Sequence, residues 1–426
     1  MNMQRYTTYR DSDAEWVGKI PDDWKTKRLK YLVFNRVTPA DADEGSYLGL
    51  DSVQSWTMKI CKDEEAPCDG AGILYDGECV LFGKLRPYLA KVALPENSGP
   101  CSSEFLTLIP RAVTRKYLAY LLSSESFIDE VNSLTYGVRM PRAGWDLIGN
   151  MRIPVPTASE QQAIVNYLDS RTAEIDTLVV DCEREVGLLQ EYRRAVISEA
   201  VTKGLDPDAP MKDSGVEWIG EIPDDWDAAR LDKVAIRKSG HTPDKKIPEY
   251  WDGNIVWISL ADSPRLRKNV YVSESTTMTT EAGIANSSAE LLPEGSVLLS
   301  RDASVGLTAI AGVQLAVSQH FMAYICDANL SNEYLRYVFL AMHQEFEKLS
   351  MGSTIPTIGL PLMRKLAIPY PSRKTQDDIV GYLNAKVTEI DVLIADNQSM
   401  ADKLREYRKS LISEAVTGKF KVPGVR

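Results

Sequence analysis

The chain has 426 residues, with 49 Lys and Arg against 60 Asp and Glu, a formal net charge of −11 and an isoelectric point near 5.1. That balance argues against a protein that holds nucleic acid by bulk charge alone. At 44% hydrophobic and 26% charged residues, it is ordinary globular material, neither disordered nor fibrous. No apolar run approaches the ~18–20 residues that span a bilayer, and residues 1–10 lack a signal-peptide core, so a cytoplasmic protein without a membrane partner is expected. Six Cys contain no C-x-x-C pair and the first His is His241, so no metal site is expected and the thiols read as reduced.

In chain order, the first distinctive segment is EWVGKIPDDWKTKRL at 15–29. A mixed block follows, with strand-like runs at 79–83 and 103–109 and a helical run at 114–123. Residues 153–202 begin IPVPTASEQQAIVNYLDSRTAEIDTLV, and the Pro-free stretch 159–203 predicts one long helix. Its apolar seam alternates mostly between steps of three and four: Ile164, Leu168, Ile175, Leu178, Leu189 and Tyr192. Residues 204–215, GLDPDAPMKDSG, read as a linker.

The pattern then recurs. Residues 217–231 repeat ten of the fifteen positions of 15–29. A second mixed block carries strand-like runs at 254–260, 296–300 and 317–325 and a helical run at 332–349. Residues 368–417 repeat 153–202 without gaps at an offset of 215, with 23 of 50 pairs identical. The second helix, 374–419, repeats the seam as Ile379, Leu383, Ile390, Leu393, Leu404 and Tyr407. Such self-similarity is an internal duplication. The blocks are 1–152, 153–204, 205–215, 216–367, 368–420 and a tail at 421–426. About 45 residues give a rod of roughly 65 Å. One rod alone cannot bury its stripe, so the expected fold is two α/β (α+β) globular domains alternating with two helices in an antiparallel coiled coil. The other reading is two helices packed separately on their own domains.

This order of blocks, with EWIGEIPDDW, VTKGLDPDAPMKDSG at 201–215, the IP-x-P entry to each rod and the shared ISEAVT, resembles the specificity (S) subunit of type I restriction–modification systems. The resemblance covers nearly the whole chain. It implies two target-recognition domains that each read one half of a bipartite site in double-stranded DNA. It implies helices that set the spacer and dock two methyltransferase (M) subunits, with restriction (R) subunits joining through the complex. S-adenosylmethionine, ATP and Mg are then expected on partner subunits and no cofactor on this chain.

Base reading calls for Arg, Lys, Asn, Gln, Ser or Thr on exposed loops. In the first domain the candidates are Lys84, Arg86, Tyr88 and Lys91 after a strand, Ser103 beside Glu104, and Arg139 and Arg142 in the loop before the rod. In the second they are Arg301 and Ser304, Gln319 beside His320, and Ser353, Thr354 and Thr357. The plain alternative for each cation is a solvated face or an internal ion pair, and His320 reads as a packed histidine. Trp16, Trp24, Trp218 and Trp226 are kept in both copies and read as packing residues.

No catalytic constellation is visible: the chain has no phosphate-binding G-x-x-x-x-G-K-[ST] or G-x-G-x-x-G and no N-P-P-Y or D-P-P-Y. The chain therefore reads as a non-catalytic subunit. A scaffold carrying two protein-binding domains is the alternative, and the acidic balance favours it. The charge is spread, with net −2 over 1–152 and −7 over 205–367, so neither domain is a basic block.

Overall fold

The structure, a computed structural model, describes residues 4–41, 47–61, 71–137, 139–350 and 356–425. The chain forms two compact units that cut across the sequence blocks. One comprises residues 1–183 with 397–426, the other 184–396. Two long helices, α1 (Ala158–Lys203) and α2 (Arg373–Val416), each contribute half their length to each unit. The fold is mixed helix and strand. No helix among the described residues is long and apolar enough to cross a membrane.

In the first unit, an antiparallel four-stranded sheet runs in the order Val33–Arg36, β2 (Phe105–Pro110), β1 (Val80–Gly83), Val92–Ala93. Helices Arg115–Leu122 and Glu125–Ser133 bury Tyr117, Leu118, Phe127 and Ile128 in the main core of this unit. The second unit places β3 (Val297–Ser300) beside β4 (Phe321–Cys326) in the same way, within a five-stranded sheet. The run at 317–325 is not one strand: a turn at Ser318–His320 separates Leu315–Val317 from β4. The helical run at 332–349 is likewise two helices, Asn332–Ala341 and His343–Ser350.

Within each unit the two long helices lie antiparallel. In the first, Ile164, Leu168 and Ile175 share a core with Leu411, Ile412, Ala415 and Val416. Tyr167 meets Phe420 at 5.8 Å between ring centres, and Asp176 Oδ1 meets Arg408 Nε at 2.8 Å. In the second, Ile379, Val380 and Leu383 share a core with Val196, Ile197 and Val201, and Arg193 Nε meets Asp391 Oδ1 at 2.7 Å. Ile390 is also buried, and Leu189 and Leu404 are half-buried.

Four expected seam residues are corrected. Leu178, Tyr192, Leu393 and Tyr407 are 51%, 49%, 44% and 46% exposed. The stripe steps through Thr172, Val179, Arg193 and Arg408 instead, positions that an apolar-only search passes over. Arg193 and Arg408 lay their stems in the stripe and bring their guanidinium groups to Asp391 and Asp176.

Each unit joins its globular part to the helices with the same set of bonds. Gln161, 3% exposed, accepts from Thr114 N at 2.8 Å and donates to the Pro156 carbonyl at 3.0 Å. Gln376, fully buried, accepts from Ser331 N at 2.8 Å and donates to the Pro371 carbonyl at 2.9 Å. The Tyr117 hydroxyl lies 3.2 Å from the carbonyls of both Pro154 and Val416. Tyr334 sits likewise, 3.1 Å from Pro369 and 3.2 Å from Val201. Burial pushes both phenols well above their ordinary pKa.

The shared tryptophans pack as expected of residues kept in both copies. Trp16 and Trp218 donate to the carbonyls of Arg152 and Ala367 at 3.1 and 3.0 Å. Trp24 and Trp226 are 1% and 3% exposed. Gly418 and Gly204 are both at positive φ; a Cβ would lie 2.6 Å from Pro21 and 3.1 Å from the Trp24 ring at the first, and 3.1 Å from the Trp226 ring at the second. The 205–215 segment is more than a loop, because Met211–Asp213 pairs with Glu221–Pro223. The tail is also packed: Val422 is 2% exposed in the first core.

Tyr117→Phe and Tyr334→Phe each remove the one hydroxyl hydrogen that two buried carbonyls share. Each should lower unfolding free energy by about 1–3 kcal/mol in urea denaturation, with little change in fold. A loss near zero for both would mean that the hydroxyls do not link sheet and helices.

Candidate nucleic-acid interface

In the first unit, β1 ends at Gly83 and the chain crosses directly to two other loops. Lys84 N donates to the Glu104 carbonyl at 2.9 Å, Arg86 N to Pro141 at 2.7 Å, and Ala143 N to Lys84 at 3.1 Å. The three segments singled out in the sequence therefore form one cluster. Arg86 stands exposed at its surface with φ +49°, ahead of the 3-10 turn Pro87–Leu89. A left-handed backbone costs a non-glycine residue roughly 1–2 kcal/mol, so the surrounding bonds hold this one in place. Tyr88 is 48% exposed beside it, and Ser103 and Arg139 are exposed.

Two cations of this cluster are already engaged. Arg142 grips Glu104 with two bonds, 2.6 Å from Nη2 and 3.1 Å from Nε. Lys91 turns inward to the Leu50 carbonyl at 2.5 Å, and desolvation lowers its pKa against the pull of Asp51. The side chains of Lys84 and Arg86 make no ion pair among the described residues.

The second unit builds the same cluster from different side chains. Arg301 N donates to the His320 carbonyl at 2.9 Å, Ala303 N to Pro356 at 2.9 Å, and Ile358 N to Arg301 at 2.9 Å. Ala303 has φ +59°, at the place Arg86 occupies in the first cluster. Arg301 is turned in: its side chain is 18% exposed and Nε donates to the Ile358 carbonyl at 3.2 Å. Ser304 accepts from Arg267 at 3.3 Å. Gln319 is exposed and accepts from the Thr242 hydroxyl, while Thr357 bridges Asp302. Ser353 and Thr354 lie outside the described residues. His320 is held by Asp302, with Nδ1 2.9 Å from Oδ2.

The sequence offered no sign of the His320–Asp302 pair, because the partners lie on segments that only the sheet brings together. The Glu104–Arg142 clamp has opposite charges as its single trace. Thr242 was not singled out, since its loop comes from outside the three segments. A hollow opens beside each cluster, about 490 Å³ next to Arg142 and about 540 Å³ next to Gln319.

Known proteins bear on both units. A family model described as the type I restriction modification DNA specificity domain matches residues 70–178 and 223–394. The MjaVIII specificity subunit of Methanocaldococcus jannaschii is 23% identical over 435 residues, covering 95% of this chain and 94% of that protein. The MjaIX specificity subunit of the same organism is 34% identical over 168 residues, a match that spans 39% of either chain. Among solved structures, a chain from work on complex assembly and conformational transition of the type I R-M system superposes with a TM-score of 0.74. It is 18% identical, and the match covers 93% of this chain and 98% of that one. The HsdS subunit from Thermoanaerobacter tengcongensis gives 0.54 at 18% identity, over 94% and 98%. These two likenesses concern the fold. The family match takes in more than half of the chain, including both β-strand loop clusters, and the chain accordingly belongs to the specificity subunits of type I restriction–modification systems.

Proposed function

We propose that the chain reads a bipartite DNA sequence, one half with each loop cluster, on behalf of methyltransferase subunits docked on its helices. One observation carries the reading: the same three-loop cluster is built twice on equivalent strands, with a common backbone and different side chains. A two-part asymmetric target needs two different readers on one frame. In the first cluster Arg86 stands exposed and the half-buried Lys84 lines the hollow, both without an ion pair among the described residues and suited to guanine edges or phosphates. In the second, Gln319, Ser304 and Thr357 are uncharged, and Gln is suited to adenine edges.

The helices supply the frame. Neighbouring major-groove faces on one side of DNA lie ~34 Å apart, and 46 residues of α1 extend about 69 Å at the rise of an α-helix. The helices therefore set the spacer between half-sites. Their outward faces dock the two M subunits. Leu178 and Leu393, and Tyr192 and Tyr407, are equivalent positions at the 215-residue offset, and all four are about half exposed. Duplicated apolar faces fit two equivalent partners. R subunits join through the complex. S-adenosylmethionine, ATP and Mg chemistry belongs to the partners. With a net charge of −11, much of the electrostatic grip on DNA comes from them too.

Methylome sequencing of cells carrying the chain and its M subunit should give a bipartite methylated motif that vanishes without the chain. Removing one helical turn from both helices should shift the spacer and keep both half-sites. Altered half-site bases at constant spacing would sink the spacer role, and absence of any motif would favour a protein-binding scaffold.

Arg86→Gly should relieve the left-handed backbone and raise stability by about 1 kcal/mol. The same change should weaken methylation through one half-site only, measured by restriction protection. Unchanged protection would exclude Arg86 from reading.

Leu178→Asp combined with Leu393→Asp should leave circular dichroism unchanged and abolish co-purification with the M subunit. Retained co-purification would place docking elsewhere.

A further inference from the structure

The second globular domain holds a hollow of about 540 Å³ beside its loop cluster. That size lies in the ~300–1,000 Å³ range of small-molecule sites. Trp251 and Trp257 form one side, with ring centres 5.0 Å apart and planes inclined at 78°. Their N–H groups donate to the carbonyls of Asp244 and His241, each at 3.2 Å. The indoles are thereby pinned with their polar atoms satisfied, leaving apolar ring surface for a flat ligand.

The opposite side is polar. Asp302 is only 16% exposed and lies against Nδ1 of His320 at 2.9 Å. A carboxylate there favours the tautomer that carries its hydrogen on Nδ1, which turns the lone pair of Nε2 toward Gln319. Gln319 Nε2 stands 3.4 Å from it, and Thr242 donates to the Gln319 oxygen. One N–H of the Gln319 amide is left to offer. Ser318 is 1% exposed and lines the hollow, and its hydroxyl has no partner among the described residues. Buried hydroxyls are normally hydrogen-bonded, so this one lacks the group it is placed to meet. The exposed Lys245 lies at the rim.

We infer that this hollow binds a nucleobase. The heterocycle lies against Trp251, backed by the buried Trp257, its edge meets Gln319 and Ser318, and the attached phosphate turns toward Lys245. The base comes either from an extrahelical nucleotide of bound DNA or from a free nucleotide. The first domain does not repeat the site. Ser103 and Glu104 stand there in place of Gln319 and His320, and the Arg142–Glu104 clamp flanks its hollow. The first source rests on the proposed DNA-reading role.

The test uses the full chain assembled with its M subunits. 2-Aminopurine is placed at each position of the target duplex in turn, and AMP is titrated separately while tryptophan fluorescence is followed. An extrahelical base gives a rise in 2-aminopurine emission at one position; a free nucleotide gives saturable quenching by AMP. Either signal should weaken by roughly tenfold or more in affinity in Trp251→Ala, since base–aromatic stacking is worth about that factor. It should also be lost in Ser318→Val, which replaces the hydroxyl with two methyl groups and serves as the comparison if Trp251→Ala does not fold. Silence of both probes in the native chain overturns the inference, as does a signal that survives both substitutions. A native chain that specifies a two-part motif yet gives neither signal loses the pocket and keeps its reading role. If no motif exists, the AMP titration decides the pocket alone.

Discussion

One ion pair, formed twice, sets the register on which the helical frame depends. Asp176 meets Arg408, and Asp391 meets Arg193. Asp391 and Arg408 are the copies of Asp176 and Arg193 at the 215-residue offset. In each unit the two helices run in opposite directions, and a slip along the axis within that unit breaks its pair. The two are not equal in energy. Arg408 is 8% exposed, so losing its partner would strand a buried charge. Arg193 and Asp391 are 27% and 51% exposed, and a pair so open contributes at most about 1 kcal/mol. Specificity of alignment, more than stability, is what the second pair adds.

From that register follows the attachment of each globular part. Gln161 and Gln376 tie the start of one helix to a domain, and the hydroxyls of Tyr117 and Tyr334 reach the end of the other. Buried and satisfied, these four side chains are the costly part of the design, because any of them unpaired destabilises its unit. The loop clusters carry no such burden. Their shared frame is made of backbone bonds, Arg86 to Pro141 and Ala303 to Pro356, while the side-chain bonds differ between the two domains, Arg142 to Glu104 in one and His320 to Asp302 in the other.

Much of this was legible in the sequence. The repeat, both long helices, the packing role of the tryptophans and the segments that form the two clusters all followed from residues and spacing. What escaped had physical reasons. Leu178, Tyr192, Leu393 and Tyr407 looked like seam residues because they are apolar and correctly spaced, yet the seam runs through Thr172, Val179, Arg193 and Arg408. A buried arginine stem is invisible to a search for apolar letters. The run at 317–325 looked like one strand because Ser318–His320 is flanked by β-formers, and its turn is closed by a bond from Phe321 N to the Ser318 carbonyl at 3.0 Å. The inward turn of Lys91 and Arg301 depends on which carbonyls lie nearby, a property of the fold and of no local pattern. The hollow beside Gln319 gathers side chains from four separate stretches, Trp251 to Ser318 among them.

The left-handed position at Arg86 and Ala303 has a bearing on how such a chain changes over generations. That backbone state costs most non-glycine side chains about the same, so exchanging one for another there leaves folding nearly untouched. A lineage is then free to sample new residues at the tip of each cluster while selection holds the frame fixed.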